Sequence, residues 1–125
     1  MSSLAGIIII GDEILSGRTK DTNINWIANE LNGIGIKLKE ARVIEDDKKT
    51  IINTVLEFSK KFTYVFTSGG IGPTHDDITT ESIAAAFKVD LEKNKKAMNL
   101  LKKHYEKSNI DFNEARQKMA IIPKG

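Results

Sequence analysis

The sequence predicts an α/β domain built on a mostly parallel sheet covered on both faces. Three observations lead there. Apolar runs of strand length alternate with segments of helical periodicity. The first run, Ile7-Ile8-Ile9-Ile10, is continuous rather than alternating, as expected of a strand buried on both sides. The chain is 125 residues long, which suits one compact domain over 1–125 and no second one.

Each element follows in order. Ala5–Ile10 reads as the first strand, ended by Gly11-Asp12-Glu13. Residues 16–21 read as a loop. Thr22 is placed to cap a helix whose inner face is Ile24, Ile27, Ala28 and Leu31, with Gly33 as its stop. Trp26 on that helix is expected to pack in the core or at an interface. Ile36, Leu38 and Val43 belong to a second strand. Asp47 caps the next helix, which turns Ile51, Ile52, Val55, Phe58 and Phe62 inward. Tyr64–Thr67 is the third strand and runs into Ser68-Gly69-Gly70-Ile71-Gly72-Pro73-Thr74-His75-Asp76-Asp77. Thr79 fits an N-cap, with Ile78 and Ile83 as a hydrophobic staple. A lysine-rich helix over 92–107 carries the stripe Ala97, Leu100, Leu101 and Tyr105. A short helix over 113–118 and a strand-like segment from Ile121 complete the order β-α-β-α-β-α-α.

Composition narrows the function. There are no cysteines, which removes disulfides, Cys-ligated metals and a thiol nucleophile. No apolar stretch is long enough to span a bilayer, and no basic residue precedes the Ile run as a signal peptide requires. A soluble, cytoplasmic protein without a membrane partner is expected. The net charge of +2 does not indicate a nucleic-acid binder. The charge is uneven, however. Residues 1–87 carry 9 Lys and Arg against 12 Asp and Glu, while residues 88–125 carry 10 against 5. The basic third could attract an anionic ligand, or it is a solvated helix face.

In parallel sheets ligands bind at the carboxyl ends of strands, so the loops after Ile10 and Thr67 are where chemistry is expected. Gly69, Gly70 and Gly72 allow positive φ and close approach of the backbone to a ligand. Successive amides in such a bend form an anion nest, and the helix opening near Thr79 adds a positive dipole end. Ser68, Pro73 and Thr74 complete the bend. A small phosphate-bearing molecule is the expected ligand. The loop is neither a P-loop nor a Gly-x-Gly-x-x-Gly turn, and no Gly-x-Ser-x-Gly elbow exists. Asp76 and Asp77 either hold a divalent ion beside that phosphate, cap loop amides, or accept a ligand hydroxyl. Asp12, with Gly11 and Glu13, faces the glycine loop if strands one and three are neighbours. It could then hold metal or activate water. Ser16, Gly17 and Asn23 could line the same mouth, and Arg18 and Lys20 could neutralise an anion. His75 is either a general acid–base group or solvated, and His104 is a surface residue.

Two segments carry a resemblance. Gly11-Asp12-Glu13-Ile14-Leu15-Ser16-Gly17 with Asp21-Thr22-Asn23, and Ser68 through Thr79, resemble the two signatures of the CinA-type branch of the molybdopterin-binding domain family. This family includes MoaB, Mog, MoeA and the gephyrin G domain. The resemblance implies a three-layer α/β/α sandwich that binds molybdopterin or a nucleotide. It implies metal-dependent pyrophosphatase activity on ADP-ribose- or FAD-like dinucleotides, with Mg²⁺, Mn²⁺ or Co²⁺. The alternative it offers is binding without turnover. The implied metal and catalytic residues are Asp12, Asp76 and Asp77. The implied binding residues are Gly11, Glu13, Ser68, Gly69, Gly70, Gly72, Pro73, Thr74 and Thr79. Dimers or trimers occur among such proteins. The branch continues past Pro123-Lys124-Gly125 into a further strand and a pocket-closing loop, so the domain reads as shortened at its C-terminal end.

Overall fold

A computed structural model describes residues 3–125. Strand β1 (Leu4–Ile10) is the centre of a three-stranded sheet in the order β2-β1-β3, with β2 at Lys37–Ile44 and β3 at Tyr64–Ser68. Both pairings are parallel, and Ile7 lies opposite Ala41 on one side and Phe66 on the other. Every residue from Ala5 to Ile10 is buried, as the uninterrupted apolar run requires.

Helix α2 (Asn23–Gly33) connects β1 to β2, and α3 (Lys48–Lys61) connects β2 to β3 across β1. The two crossovers run in opposite directions, so right-handedness puts their helices on opposite faces. On one face Ile8, Ile10 and Ile44 pack with Ile51, Val55 and Phe58 of α3. Phe62, Val65, Ile78 and Ile83 close that cluster. Ile7 and Ile9 point the other way and are also buried, as is Leu31 of α2. Gly6 is glycine for space, because a Cβ there would come within 2.6–2.8 Å of the Phe58 and Phe62 rings.

Several local expectations are corrected. Thr22 precedes α2, but its side chain caps nothing. Asp21 does that work, accepting from the amides of Asn23 (3.2 Å) and Ile24 (3.0 Å). Gly33 is the last helical residue, and the positive φ that turns the chain falls on Gly35. Trp26 is 62% exposed and leaves the core to its neighbours. Asp47 caps α3 as expected, through the Thr50 amide at 2.9 Å. Asp12–Leu15 forms a one-turn helix, α1, too short to show a period.

The last third departs most. After α4 (Thr79–Phe87) a short strand β4 (Leu91–Lys93) pairs antiparallel with β5 (Ile121–Pro123) in a separate two-stranded sheet. Between them lie α5 (Lys95–Ser108) and α6 (Glu114–Gln117), capped by Asn94 and Asn113. On α5 the half-buried stripe is Ala97, Met98, Leu101 and Tyr105. Leu100 is 60% exposed and lies off it. Among the described residues no helix is long and apolar enough to cross a membrane.

Helix α4 ends on Lys88, which adopts the left-handed conformation with φ 54°. That conformation strains an L-residue with a Cβ, and glycine relieves it at some entropic cost. Lys88→Gly is therefore expected to raise stability by about 0.5–1 kcal/mol, read from the denaturant midpoint at unchanged m-value.

Candidate functional site

Three loops leave the carboxyl ends of the parallel strands. The first opens with Gly11, whose amide donates to the Ile44 carbonyl at 3.0 Å and so binds the end of β1 to the end of β2. Next come Asp12 and half-buried Glu13 on α1. The second loop, after β2, begins Glu45-Asp46. The third is the glycine bend after β3.

Asp12 and Asp46 hold each other. The Asp46 amide donates to Asp12 Oδ1 at 3.1 Å, and the Asp12 amide donates to Asp46 Oδ2 at 3.2 Å. Burial pushes the Asp46 carboxyl above the ordinary aspartate range. The bond from the Asp12 amide opposes this, while the charges of Asp12, Glu13 and Asp77 add to it. Asp46 was not anticipated from the sequence. It occupies the third strand-end loop, beside the two that the strand-end rule was applied to.

Gly69 and Gly70 have φ values of 99° and 68°. A Cβ on Gly69 would fall on the Ile10 carbonyl oxygen, and one on Gly70 would fall on Thr79 Oγ1. The two glycines thus allow β3 to turn against the end of β1 and the start of α4. Thr79 does not cap α4; Ile78 holds that position. Thr79 is the first helical residue, wholly buried, with its amide donating to the Gly70 carbonyl at 3.1 Å and its Oγ1 unpartnered. The pressed fit against Gly70 explains its burial better than contact with a ligand.

The bend's anion is the protein's own. Asp77 Oδ2 accepts from the Thr74 amide (2.9 Å) and the Thr74 hydroxyl (2.8 Å), and the Gly72 amide also bonds to Asp77. Burial raises the Asp77 carboxyl, but these donors and Lys118 outweigh it and hold it below the ordinary aspartate range. The open amide nest expected at Gly72–Thr74 is therefore filled by Asp77. Pro73 lies inside that closed turn. Lys118, a residue with no signal in the sequence, reaches back to clamp it, donating to the carbonyls of Thr74 (2.7 Å) and Asp77 (3.0 Å).

The expected trio of Asp12, Asp76 and Asp77 is consequently not gathered as one set. Among the described residues no group of three or more His, Asp or Glu is assembled to hold a metal ion. Asp12 and Asp76 do share a cavity of about 460 Å³, lined also by Glu13, Arg18, Asp46, His75 and Ile78. Asp76 is largely exposed, paired with His75 Nε2 at 3.4 Å. A neighbouring cavity of about 260 Å³ contains Glu13, Lys20, Asn23, Ser68 and Gly69, and there the Asn23 amide group donates to Ser68 Oγ at 2.6 Å. Ser16 turns to the Glu13 carbonyl and Arg18 Nε, and Gly17 provides a left-handed turn. His104 is an exposed residue of α5, remote in sequence from all of this.

Two expectations follow. Gly70→Ala should cost at least ~2 kcal/mol, through left-handed strain and collision with Thr79, whereas Thr79→Val should leave Tm unchanged or higher, since it deletes an unpaired buried hydroxyl. Asp46→Asn keeps an acceptor for the Asp12 amide but removes a charge whose folded pKa exceeds its unfolded one. Ionisation penalises the fold at neutral pH, and that penalty disappears below the unfolded value of about 3.9. Asp46→Asn should thus raise Tm near pH 7 and lose its advantage as pH falls toward 4, measured by melting across that range.

The comparisons agree with this geometry. A family model described as "Probable molybdopterin binding domain" matches residues 6–124. A protein of Sulfurisphaera tokodaii is 41% identical over 122 residues, which are 97% of this chain and 46% of that protein. The chain spans about half the length of the curated relatives it matches. Among solved structures, CinA of Thermoplasma acidophilum, a protein of unknown function, aligns over 98% of this chain and 71% of its own, with TM-score 0.83 and 36% identity. The tungsten cofactor synthesizing protein MoaB of Pyrococcus furiosus aligns over 85% and 64%, with TM-score 0.65 and 28% identity. With a parallel sheet of the same kind and the site loops at the same strand ends as its two sequence signatures imply, the chain belongs to the molybdopterin-binding domain family, in its CinA-type branch beside the MoaB- and Mog-type proteins.

Proposed function

We propose that the chain binds a phosphate-bearing nucleotide or pterin at the ends of β1, β2 and β3, and that with a divalent ion it hydrolyses the pyrophosphate of an ADP-ribose- or FAD-like dinucleotide. The observation that carries this reading is the cavity in which Asp12, Asp46 and Asp76 meet Arg18 and His75. Three carboxylates facing one space, one of them resisting ionisation, are a region short of positive charge.

The residues fit a metal only together with a phosphate. The carboxylates present are hard oxygen donors, and Mg²⁺-like ions use one or two of these plus phosphate oxygens. Asp12, Asp46 and Asp76 would hold the ion, which when bound supplies polarisation of a phosphoryl oxygen and a lowered pKa for water. The chain's own groups divide the remaining work. Asp12 and Asp46 fix one another's carboxylates by their reciprocal amide bonds. Arg18 brings guanidinium donors to phosphate oxygens. Asp76, on the turn clamped by Lys118, is the exposed carboxylate available to take a proton from water. Asp77 maintains the turn and is not among the proposed ligands.

A second reading, binding without turnover, is favoured by one observation: no complete metal set is assembled among the described residues. The two separate experimentally. Incubation of ADP-ribose or FAD with Mg²⁺, Mn²⁺ or Co²⁺ should release AMP, and chelation should stop it. Asp76→Asn should lower the rate by about 10²–10⁴-fold while the protein melts as before, because the side chain is 85% exposed. Ligand binding with no AMP under any of the three ions overturns hydrolysis and leaves the binding reading.

A further inference from the structure

A second cavity, of about 370 Å³, adjoins the acid-lined one and shares His75 with it. Its chemistry is different. Ile71, Leu91 and Ile121 supply apolar wall, and Thr80, Glu81 and Lys118 supply polar groups. The walls come from three parts of the chain: the glycine bend, α4, and the β4–β5 sheet with its preceding turn. Its volume lies in the range of small-molecule sites.

The polar groups are of both kinds. Glu81 offers only acceptors once ionised. Lys118 has three N–H donors, and the carbonyls of Thr74 and Asp77 take two of them. One donor is therefore left at the cavity that Lys118 lines. A guest matching these walls has apolar faces and an edge that both donates and accepts. A sugar lacks the apolar faces, and an aliphatic chain lacks the edge. A flat nitrogen heteroaromatic ring has both.

We propose that this cavity seats the heteroaromatic ring of the phosphate-bearing ligand, with Lys118 and Glu81 reading the ring's polar edge. The inference rests on the reading of the acid-lined cavity as the phosphate site, and it adds the place and the lining residues of the other end of the ligand. Continuity through His75 lets one ligand reach both. The arrangement also gives Lys118 two tasks, since the ammonium that meets the ring is the one that fixes the turn carrying Asp76.

The test is calorimetric titration of the whole chain, in Mg²⁺, with pyrophosphate, ribose 5-phosphate, AMP and neopterin. AMP differs from ribose 5-phosphate chiefly by its ring, and neopterin carries a pterin in place of the purine. AMP or neopterin should bind at least about tenfold more tightly than ribose 5-phosphate, the better of the two identifying the ring. Leu91→Asn, at a position 42% exposed, should erase that preference and leave pyrophosphate binding within about twofold. Ile71→Asn, 61% exposed, serves as the second wall variant should the first disturb folding. Equal binding of all monophosphates, or a preference that survives both wall variants, overturns the ring site while pyrophosphate binding keeps the phosphate site standing. A ring preference without any pyrophosphate binding does the reverse.

Discussion

The contact between Gly69 and the Ile10 carbonyl is the constraint on which the rest of the molecule depends. β1 and β3 run parallel and adjacent, so their carboxyl ends arrive together. A side chain on Gly69 would occupy the position of that carbonyl oxygen. Because it has none, the chain after β3 can fold back over the end of β1 rather than away from it. The Gly70–Thr79 contact then sets where α4 starts. Two glycines thus fix the distance between the loop carrying Asp12 and the loop carrying Asp76. The topology makes this the place where chain direction divides, since β1 connects to β2 on one side and pairs with β3 on the other.

Electrostatics at that place is divided between a satisfied anion and an unsatisfied group. Asp77 is satisfied: hydroxyl, two amides and the Lys118 ammonium lower its pKa and make it part of the loop's frame. Asp46 is not: burial and neighbouring charge raise its pKa, with one amide in opposition. The two aspartates therefore contribute oppositely to the molecule. One stabilises the folded loop at neutral pH, and the other costs stability there. A fold that retains such a cost at the mouth of its site has a reason other than stability to keep the charge, and a cationic ligand is the simplest one.

The parallel sheet and its helices were legible because the signals were redundant. The Ile run, the periodicity of 47–62 and the Asp47 cap all favoured one arrangement. The glycine bend was legible as a bend, but not in its purpose. A Gly-Gly-x-Gly sequence followed by two aspartates reads equally as a nest awaiting a phosphate or as a turn supplying its own anion. Only coordinates show that Asp77 fills it. Thr79 failed for a related reason: a threonine at a helix start resembles a cap, yet the Gly70 contact draws it one position into the helix and buries it. β4 was missed because Leu91-Glu92-Lys93 is three residues long and wholly exposed, so neither run nor alternation marks it. Lys118 was invisible because its partners lie 44 and 41 residues earlier. Asp46 was within reach, had the strand-end rule been applied to all three strands.

The second sheet gives the basic third of the chain a role beyond solvation. Residues 88–125 hold most of the positive charge, yet much of it lies along α5, and the lysine that matters at the site is Lys118, just before β5. Pairing of β4 with β5 is what carries Lys118 to the Thr74–Asp77 turn, because that ladder ties the segment after α6 to the segment after α4. Leu91 and Ile121, on the two strands of that ladder, line the same cavity as the lysine. The small sheet is therefore coupled to the turn bearing Asp76 by one ammonium and to any occupant of the cavity by its apolar side chains. Ordering of either would be felt by the other, which ties recognition in the second lobe to the placement of charge in the first.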